Sequence, residues 1–315
     1  MAEGGNKGAA KRTVLIALGA NAAIAVAKFA GGVAAGSSAM LSEAAHSVAD
    51  TTNQVFLLMS LGFSEREPDA EHPFGYGKER FFWSFMAAVV IFVSGAGFSA
   101  YEGLSRILES GSGEDSGFGI AYAVLGFALL AEGTSWMRAY RQTRGEAHRS
   151  EQAPIPFVRR SRDPTTKTVL FEDSAAVIGV LLAIAGVALH QITGDKVWDG
   201  AASLAIAVLL VIVAFGLGHN TYELLIGAGA LPEERRRIEE ILESRPEVDR
   251  VLELMTMALA PNRLLVAVRY DAAADLGSDD IERASNEIDD QLREQVPTVW
   301  QVFLDPTPRA DGAGG

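Results

Sequence analysis

The sequence contains no cysteine, which excludes disulfides, thiolate metal sites and cysteine nucleophiles. A recognisable targeting segment is also missing from its start. The first twelve residues, MAEGGNKGAAKR, are polar, with no small-residue cleavage signal behind them and none of the arginine-rich amphipathic character of a transit peptide. We therefore expect the first apolar segment to be a membrane helix rather than a signal peptide.

Apolar and charged residues occupy different parts of the chain. Hydrophobic residues make up 49% of the 315 residues, yet 21% are charged and the net charge is −13. Such a composition requires apolar and charged segments to be segregated along the sequence. It predicts a membrane part and a soluble part.

Six apolar segments are each long enough to cross a bilayer, whose core of about 30 Å needs roughly 20 helical residues. Small residues are frequent in these segments, as in GGVAAG and GAG, which is typical of helices that pack closely together. The predicted fold of this part is an all-α polytopic membrane domain of six transmembrane helices. The predicted spans cover 13–35, 39–63, 81–103, 117–140, 166–192 and 199–227.

Basic residues fall in alternate connections between the predicted spans. They lead the chain, follow span two and surround the loop after span four, whereas the other loops hold almost none. The positive-inside rule then places both termini in the cytoplasm. Together with an alanine-, arginine- and acid-rich composition, this pattern predicts a multi-pass protein of the bacterial plasma membrane.

From Leu231 onward the pattern is that of a small soluble α+β domain. LPEERRRIEEILESRPEV and SDDIERASNEIDDQLREQ predict capped amphipathic helices, and VDRVLELMTMAL, LLVAVRYDA and TVWQVFLD predict strands. The predicted order is α-β-β-α-β, as in a ferredoxin-like domain. The resulting organisation is a cytoplasmic tail over 1–12, a six-helix membrane domain over 13–230, the α+β domain over 231–306 and a disordered tail over 307–315.

Ionisable residues inside span two are functional candidates, because a charge at mid-depth costs about 2.5 to 3.5 kcal/mol on insertion scales. In LSEAAHSVADTTNQ, Glu43, His46, Asp50 and Asn53 share one helix face. His46 and Asp50 lie about 6 Å apart along the axis, so both can reach one ion. Imidazole and carboxylate together suit a divalent transition metal such as Zn²⁺. For Glu43, beside Ser42, helix capping is an alternative.

Span five contains adjacent acids in TVLFEDSAAVIG, namely Glu172 and Asp173. Asp173 is expected to be the ligand that opposes span two. Glu172, rotated by about 100° from it, is a second ligand, a proton carrier or a group that faces a neighbouring helix. Asn21 in span one and Glu132 in span four either line the same cavity or bridge helices.

Three further ionisable residues lie at the edges of this pattern. Lys28 in span one is expected to pair with an acid or to extend toward the membrane surface. Asp69 and His72, in the loop after span two, form a candidate metal entry site. An exposed polar loop without metal is the alternative interpretation.

Several of these features resemble the cation diffusion facilitators, the metal/proton antiporters of the zinc transporter superfamily. They are HSVAD in span two, the loop EHPFGYGKERFFW, the six spans and the C-terminal domain, so the resemblance extends from about Lys11 to Pro306. DPTTKTVLFEDSAAVIG, LSEAAHS and AEG look most like the branch that contains the mitochondrial zinc transporter homologue.

The resemblance implies a specific set of ligands. His46 and Asp50 occupy the first pair of transport-site positions, and Asp173 is similar to the acid of the second pair, whose histidine position falls on Val169. The fourth ligand is then Glu172, another acid, a water or nothing. The family also implies a homodimer formed through the cytoplasmic domain, although this domain holds no histidine here.

The residues and the resemblance together predict an antiporter that exports a divalent cation, Zn²⁺ first, from the cytoplasm by alternating access. Protons are the counter-ion, because metal ligands must be deprotonated and protonation expels the metal. Mn²⁺, Fe²⁺ and Co²⁺ share these ligands and stay open as substrates. No organic cofactor is expected, and the acidic soluble domain argues against nucleic acid.

Two other functions stay open at this point. One is a membrane metal sensor that binds an ion without flux, and the other is a monovalent cation/proton antiporter. An enzyme is not expected, because an intramembrane metal hydrolase needs further ligands on one helix, as an HExxH-type site supplies them.

Overall fold

The computed structural model describes residues 3–108, 117–149, 153, 164–273 and 276–307, without the side chains of 3–17, 61 and 164–169. The helices are α1 (Glu3–Ala35), α2 (Ser38–Ser64), α3 (Glu79–Leu108, with a π-helical turn at Ile91–Ala96), α4 (Phe118–Arg149), α5 (Pro164–Thr193), α6 (Val197–Ile226), α7 (Pro232–Glu243) and α8 (Ser278–Gln295). The strands are β1 (Val248–Ala260), β2 (Arg263–Ala272) and β3 (Val299–Pro306).

The described chain forms two compact units. One consists of Met1–Gly62 and Phe82–Thr221, and the other of Phe63–Phe81 and Tyr222–Gly315. The loop between α2 and α3 therefore belongs to the same unit as the C-terminal sheet, which the apolar pattern of the sequence did not predict. Helix α1 begins at Glu3, so the segment predicted as a tail continues directly into the first span.

The first unit is a helical membrane domain. Within the described residues, five helical segments are long and apolar enough to cross a membrane: Leu18–Ala35, Glu79–Leu108, Phe118–Arg149, Leu170–Thr193 and Val197–Ile226. Helix α2 is not among them, because its serine, acidic, histidine and amide residues lower its hydropathy.

Small apolar side chains fill the core of the helical unit, and this lets the helix backbones approach one another closely. Among the described buried residues of this core, methionine, leucine and isoleucine are the largest. The core includes Ala39, Met40, Ala49, Ala88, Ile91, Ala121, Leu125, Val180, Ala183, Ile206 and Leu210.

A buried carboxylate at the start of α6 anchors the start of α2. Asp199 is fully buried and accepts hydrogen bonds from the Ser37 hydroxyl at 2.6 Å, the Ser38 amide at 2.6 Å and the Ser38 hydroxyl at 2.8 Å. Arg106 Nε on α3 lies 3.8 Å from the same carboxylate. A negative charge at a helix N-terminus interacts favourably with the exposed amides there, so this cluster fixes the position of α2.

The second unit contains a three-stranded sheet in the order β1-β2-β3, with β1 antiparallel and β3 parallel to β2. The hairpin between β1 and β2 closes at Ala260 and Arg263. Along the chain the elements run α7, β1, β2, α8, β3. Helices and strands share a core that includes Ile238, Leu242, Val266, Val268, Tyr270, Ile288 and Leu292.

Two sequence-based expectations fall on parts that the structure does not describe. The predicted disordered tail lies outside the described residues from residue 308 onward. The side chain of Val169, which occupies the family's histidine position, also lies outside them.

Candidate metal site

The polar face of α2 is buried in the helical unit. Glu43, His46 and Asn53 are exposed by 0%, 2% and 1%, and the Asp50 side chain by 16%. Steps of three and four residues place all four on one side of a helix. The periodicity seen in the sequence thus corresponds to a continuous polar strip inside an otherwise apolar unit.

His46 and Asp50 form the closest pair of predicted ligands. His46 Nε2 lies 3.2 Å from Asp50 Oδ2, while His46 Nδ1 lies 3.9 Å from Glu43 Oε1. A neutral imidazole that donates from Nε2 keeps a lone pair on Nδ1, which is the form that binds metals.

Four buried polar atoms along this face have no hydrogen-bond partner in the described part of the chain. They are Glu43 Oε1, His46 Nδ1, Asp50 Oδ1 and Asn53 Oδ1. Buried polar atoms are rarely left without a partner, because desolvation then costs about 1 to 3 kcal/mol each. In the neutral form of His46 that donates from Nε2, each of these atoms carries a lone pair, so the arrangement is suited to a cation.

The adjacent acids of α5 contact different helices. Glu172, which is 8% exposed, accepts a hydrogen bond from Asn53 Nδ2 on α2 at 2.7 Å. Asp173 accepts one from the Ser135 hydroxyl on α4 at 3.0 Å. The structure therefore brings Glu172, rather than Asp173, into contact with the polar face of α2.

The predicted ligands do not form a complete coordination sphere. Among the described residues, no three His, Asp or Glu side chains are grouped closely enough to hold a metal ion together. His46 and Asp50 are side by side, whereas the α5 acids bond to amide and hydroxyl donors.

Lys28 contacts both Glu43 and Glu132, so Glu132 belongs to the same buried polar cluster. Its Nζ lies 3.1 Å from Glu43 Oε2 and 3.3 Å from Glu132 Oε1, and it donates to the Ser47 hydroxyl at 2.8 Å. Of the two expectations for Lys28, pairing with an acid is the one observed. Sequence reasoning missed Ser47, although its position four residues after Glu43 places it on the same face. Asn21 is partly buried on α1.

The candidate entry residues lie in the exposed loop between α2 and α3. Asp69 accepts hydrogen bonds from the Tyr76 hydroxyl at 2.6 Å and from the amides of His72 at 2.7 Å and Glu71 at 3.0 Å. The Tyr76 hydrogen bond, followed by that of the His72 amide, lowers the pKa of Asp69. The His72 ring packs against Tyr76 with centroids 4.3 Å apart. Through these hydrogen bonds Asp69 stabilises the conformation of the loop.

Residues 14–226 match the family model described as the cation efflux transmembrane domain. The chain is also 33% identical over 290 residues to the mitochondrial proton-coupled zinc antiporter of Mus musculus, covering 91% of this chain and 50% of that protein. The human protein is 33% identical over 300 residues, with 93% and 52% covered. The manganese efflux system protein MneP of Bacillus subtilis is 24% identical over 304 residues, with 95% and 96% covered.

The chain spans about half the length of the mammalian relatives it matches. Those relatives are mitochondrial, and this overturns the prediction of a bacterial plasma membrane. The physical reason is that span length, small-residue content and basic loops report that a chain crosses a bilayer several times, not which bilayer it crosses.

The segment that matches the family model contains the candidate metal site. The matched segment, 14–226 of 315 residues, is more than half of the chain and contains the polar face of α2 together with both acids of α5. The apolar helices around this face make the protein a multi-pass membrane protein. The chain belongs to the cation efflux family.

Proposed function

We propose that the chain is a divalent metal cation/proton antiporter that moves Zn²⁺ across the membrane by alternating access. The observation that carries the proposal is the buried His46 and Asp50 pair, in which each side chain has an atom without a hydrogen-bond partner. The zinc named for the mammalian relatives supports Zn²⁺ as the first substrate, and the manganese named for the Bacillus relative supports a divalent class that includes Mn²⁺. Export would carry the metal ion away from the side of the membrane on which the basic loops lie.

In this proposal α2 also crosses the membrane, which brings the number of transmembrane helices to six. Its 27 residues correspond to about 40 Å, which is longer than the hydrocarbon core. Polar residues inside a membrane are accommodated when they face the interior of a bundle and find partners there. The burial of Glu43, His46 and Asn53 fits that condition.

The ion would bind between α2 and α5. His46 and Asp50 supply the ligands from α2, and Glu172 and Asp173 supply carboxylates from α5. The hydrogen bond between Asn53 and Glu172 supports this pairing of helices, because it already holds an α5 acid against the polar face of α2. Imidazole and carboxylates form a ligand set that Zn²⁺ and Mn²⁺ both accept.

Proton exchange follows from the chemistry of these ligands. A ligating imidazole must be neutral and a ligating carboxylate ionised, so metal binding displaces protons and protonation weakens metal binding. The same side chains would then serve both ions in turn. Such an exchange needs neither a redox group nor an organic cofactor.

The C-terminal unit would act as a ferredoxin-like dimerisation module that makes the protein a homodimer. Large apolar side chains on its strands support this part of the proposal. Leu252, Met255 and Phe303 are exposed by 37%, 53% and 50%. Burying such side chains against a second copy would contribute roughly 25 cal/mol per Å² of apolar area.

The test is cation flux into proteoliposomes under an imposed pH gradient, measured for Zn²⁺, Mn²⁺, Fe²⁺, Co²⁺, Na⁺ and K⁺. We expect gradient-driven Zn²⁺ flux that falls to background in His46→Ala and in Asp50→Asn. His148→Ala removes an exposed imidazole at the end of α4 and serves as the matched control, which should keep its flux.

Other outcomes would contradict the antiporter. Metal binding without flux would indicate a sensor, and flux of Na⁺ or K⁺ alone would indicate a monovalent antiporter. Full Zn²⁺ flux in both His46→Ala and Asp50→Asn would remove the site from the polar face of α2.

A further inference from the structure

Lys28 is a fully buried ammonium group next to the proposed metal site. Its side chain is 1% exposed, and it reaches Glu43 on α2 at 3.1 Å, Ser47 on α2 at 2.8 Å and Glu132 on α4 at 3.3 Å. Two carboxylate oxygens and a hydroxyl around one positive charge are the surroundings of a bound cation. Here the cation is covalently attached to α1 and cannot leave with the substrate.

Such a charge is retained in an apolar unit only because it is paired. Burying an unpaired ion costs several kcal/mol, and removing one partner of a buried pair destabilises a protein by about 3 to 5 kcal/mol. Glu43 is completely buried and Glu132 is 16% exposed, so neither acid can obtain full compensation from water. Lys28 is therefore the charge partner that both acids share in this unit.

Glu43 stands between this ammonium and the proposed ligands. Its Oε2 contacts Lys28, while its Oε1 has no hydrogen-bond partner among the described residues and lies 3.9 Å from His46 Nδ1. Space for this carboxylate exists because α5 has Gly179 beside it. A Cβ at that position would lie 2.0 Å from Glu43 Oε1.

We propose that Lys28 holds Glu43 out of the metal's coordination shell and thereby sets the number of carboxylates that bind the ion. The inference rests on the proposed function, because it assumes that His46 and Asp50 bind the substrate. A further ionised ligand would strengthen binding, since affinity for hard and borderline cations rises with the number of charged ligands. A transport site must also release its ion, so a tethered ammonium that occupies one acid favours turnover over affinity.

The first experiment measures Zn²⁺ affinity of the purified full chain at pH 7 by competition with a chromophoric chelator. The variant Lys28→Met/Glu132→Gln removes one positive and one negative charge, so the net charge of the cluster stays the same while Glu43 is released. We expect it to bind Zn²⁺ at least about tenfold more tightly than the wild type. Adding Glu43→Gln should remove this gain.

Lys196→Met, in the connection between α5 and α6, is the matched lysine control and should bind as the wild type does. Size-exclusion profiles and melting temperatures report whether each variant is folded. An affinity of a folded Lys28→Met/Glu132→Gln protein equal to or below that of the wild type would overturn the inference. So would a gain that survives the addition of Glu43→Gln.

A second variant keeps the inference testable if the double variant does not fold. Glu43→Gln alone leaves Lys28 its contacts with Ser47 and Glu132. Because the inference places Glu43 outside the coordination shell, Zn²⁺ affinity should change by less than about threefold. A loss greater than about tenfold would make Glu43 an ordinary ligand and contradict the inference.

The two proposals fail in different ways. If the wild type binds Zn²⁺ and His46→Ala abolishes binding, the proposed site stands whatever the Lys28 variants do. If the wild type does not bind Zn²⁺ but Lys28→Met/Glu132→Gln does, Lys28 blocks a cation site and the proposed function is wrong. If neither protein binds, both proposals are wrong.

Discussion

Glu172 and Asp173 are neighbours in the chain but contact different helices. Consecutive residues on a helix are rotated by about 100°, so two adjacent side chains cannot point in one direction. The hydrogen bond to Asn53 directs Glu172 toward α2, and that from Ser135 directs Asp173 toward α4. The two acids are therefore expected to differ in their importance for the ion.

We predict that Glu172→Gln weakens Zn²⁺ binding by about tenfold or more and that Asp173→Asn weakens it by a smaller factor. Both substitutions keep the size of the side chain and remove only its charge. The reason is that Glu172 already lies against the polar face of α2, whereas Asp173 must change partners to reach it. Chelator competition on the purified proteins measures both affinities, and each variant serves as the control for the other.

The reverse order of effects would contradict this assignment. Asp173 would then be the acid that opposes His46, as the family resemblance implies. Equal and small effects would place the ion away from α5.

Among the helices, α3 and α6 approach each other closely at a pair of glycines. A Cβ at Gly103 would lie 2.8 Å from the Gly200 carbonyl oxygen, and a Cβ at Gly200 would lie 2.8 Å from the Gly103 carbonyl oxygen. Real Cβ atoms do not approach a backbone oxygen so closely without displacing it. Glycine at both positions thus allows the two backbones to touch, as small residues do in membrane helix pairs.

We predict that Gly103→Ala lowers the melting temperature of the full chain. The added methyl group must separate α3 from α6, and such overpacking costs about 1 to 3 kcal/mol. This outweighs the gain of about 1 kcal/mol that alanine brings over glycine inside a helix. Thermal unfolding in detergent, followed by size exclusion, provides the measurement.

Gly126→Ala is the matched control, because a Cβ at Gly126 on α4 would meet no atom within 4 Å. The same change of residue type should there leave the melting temperature unchanged or raise it. Equal decreases in Gly103→Ala and Gly126→Ala would show that the close contact does not limit stability.

At the scale of the whole molecule, the loop between α2 and α3 is integrated into the sheet unit. Lys78 Nζ donates to the Leu225 carbonyl at 3.4 Å and lies 3.5 Å from Met257 Sδ. Phe81 is fully buried and packs with Leu224 and Ala258. After α2, which carries the proposed ligands His46 and Asp50, the chain therefore passes through the second unit before it continues into α3.

We predict that truncation before Leu231 weakens the dimer and lowers Zn²⁺ flux while Zn²⁺ binding persists. The truncation removes the strands that carry the exposed apolar side chains and also the β1 residues that contact the loop. The proposed ligands lie in the other unit and stay in place. Light scattering, proteoliposome flux and chelator competition measure the three quantities.

A truncated protein that still forms a full-strength dimer would move the interface into the helical unit. Loss of Zn²⁺ binding in a folded truncated protein would mean that the second unit contributes to the metal site.

Features that depend on local order along the chain could be predicted from the sequence. Five apolar stretches correspond to helices able to cross a membrane, and steps of three and four residues in span two placed Glu43, His46, Asp50 and Asn53 on one face. The same stretches carried the family resemblance, which the family match confirms. Periodicity makes such features predictable, because a helix repeats every 3.6 residues whatever surrounds it.

Which of these groups meet depends on the tertiary fold. Lys28 joins Glu43 and Glu132 across 15 and 104 residues, and Asn53 joins Glu172 across 119 residues. Such contacts depend on the rotation and approach of separate helices, which side-chain packing sets and a repeat along one helix does not encode. For the same reason the sequence, which favoured Asp173 as the acid that opposes span two, did not predict that Glu172 is the acid that contacts Asn53 on α2.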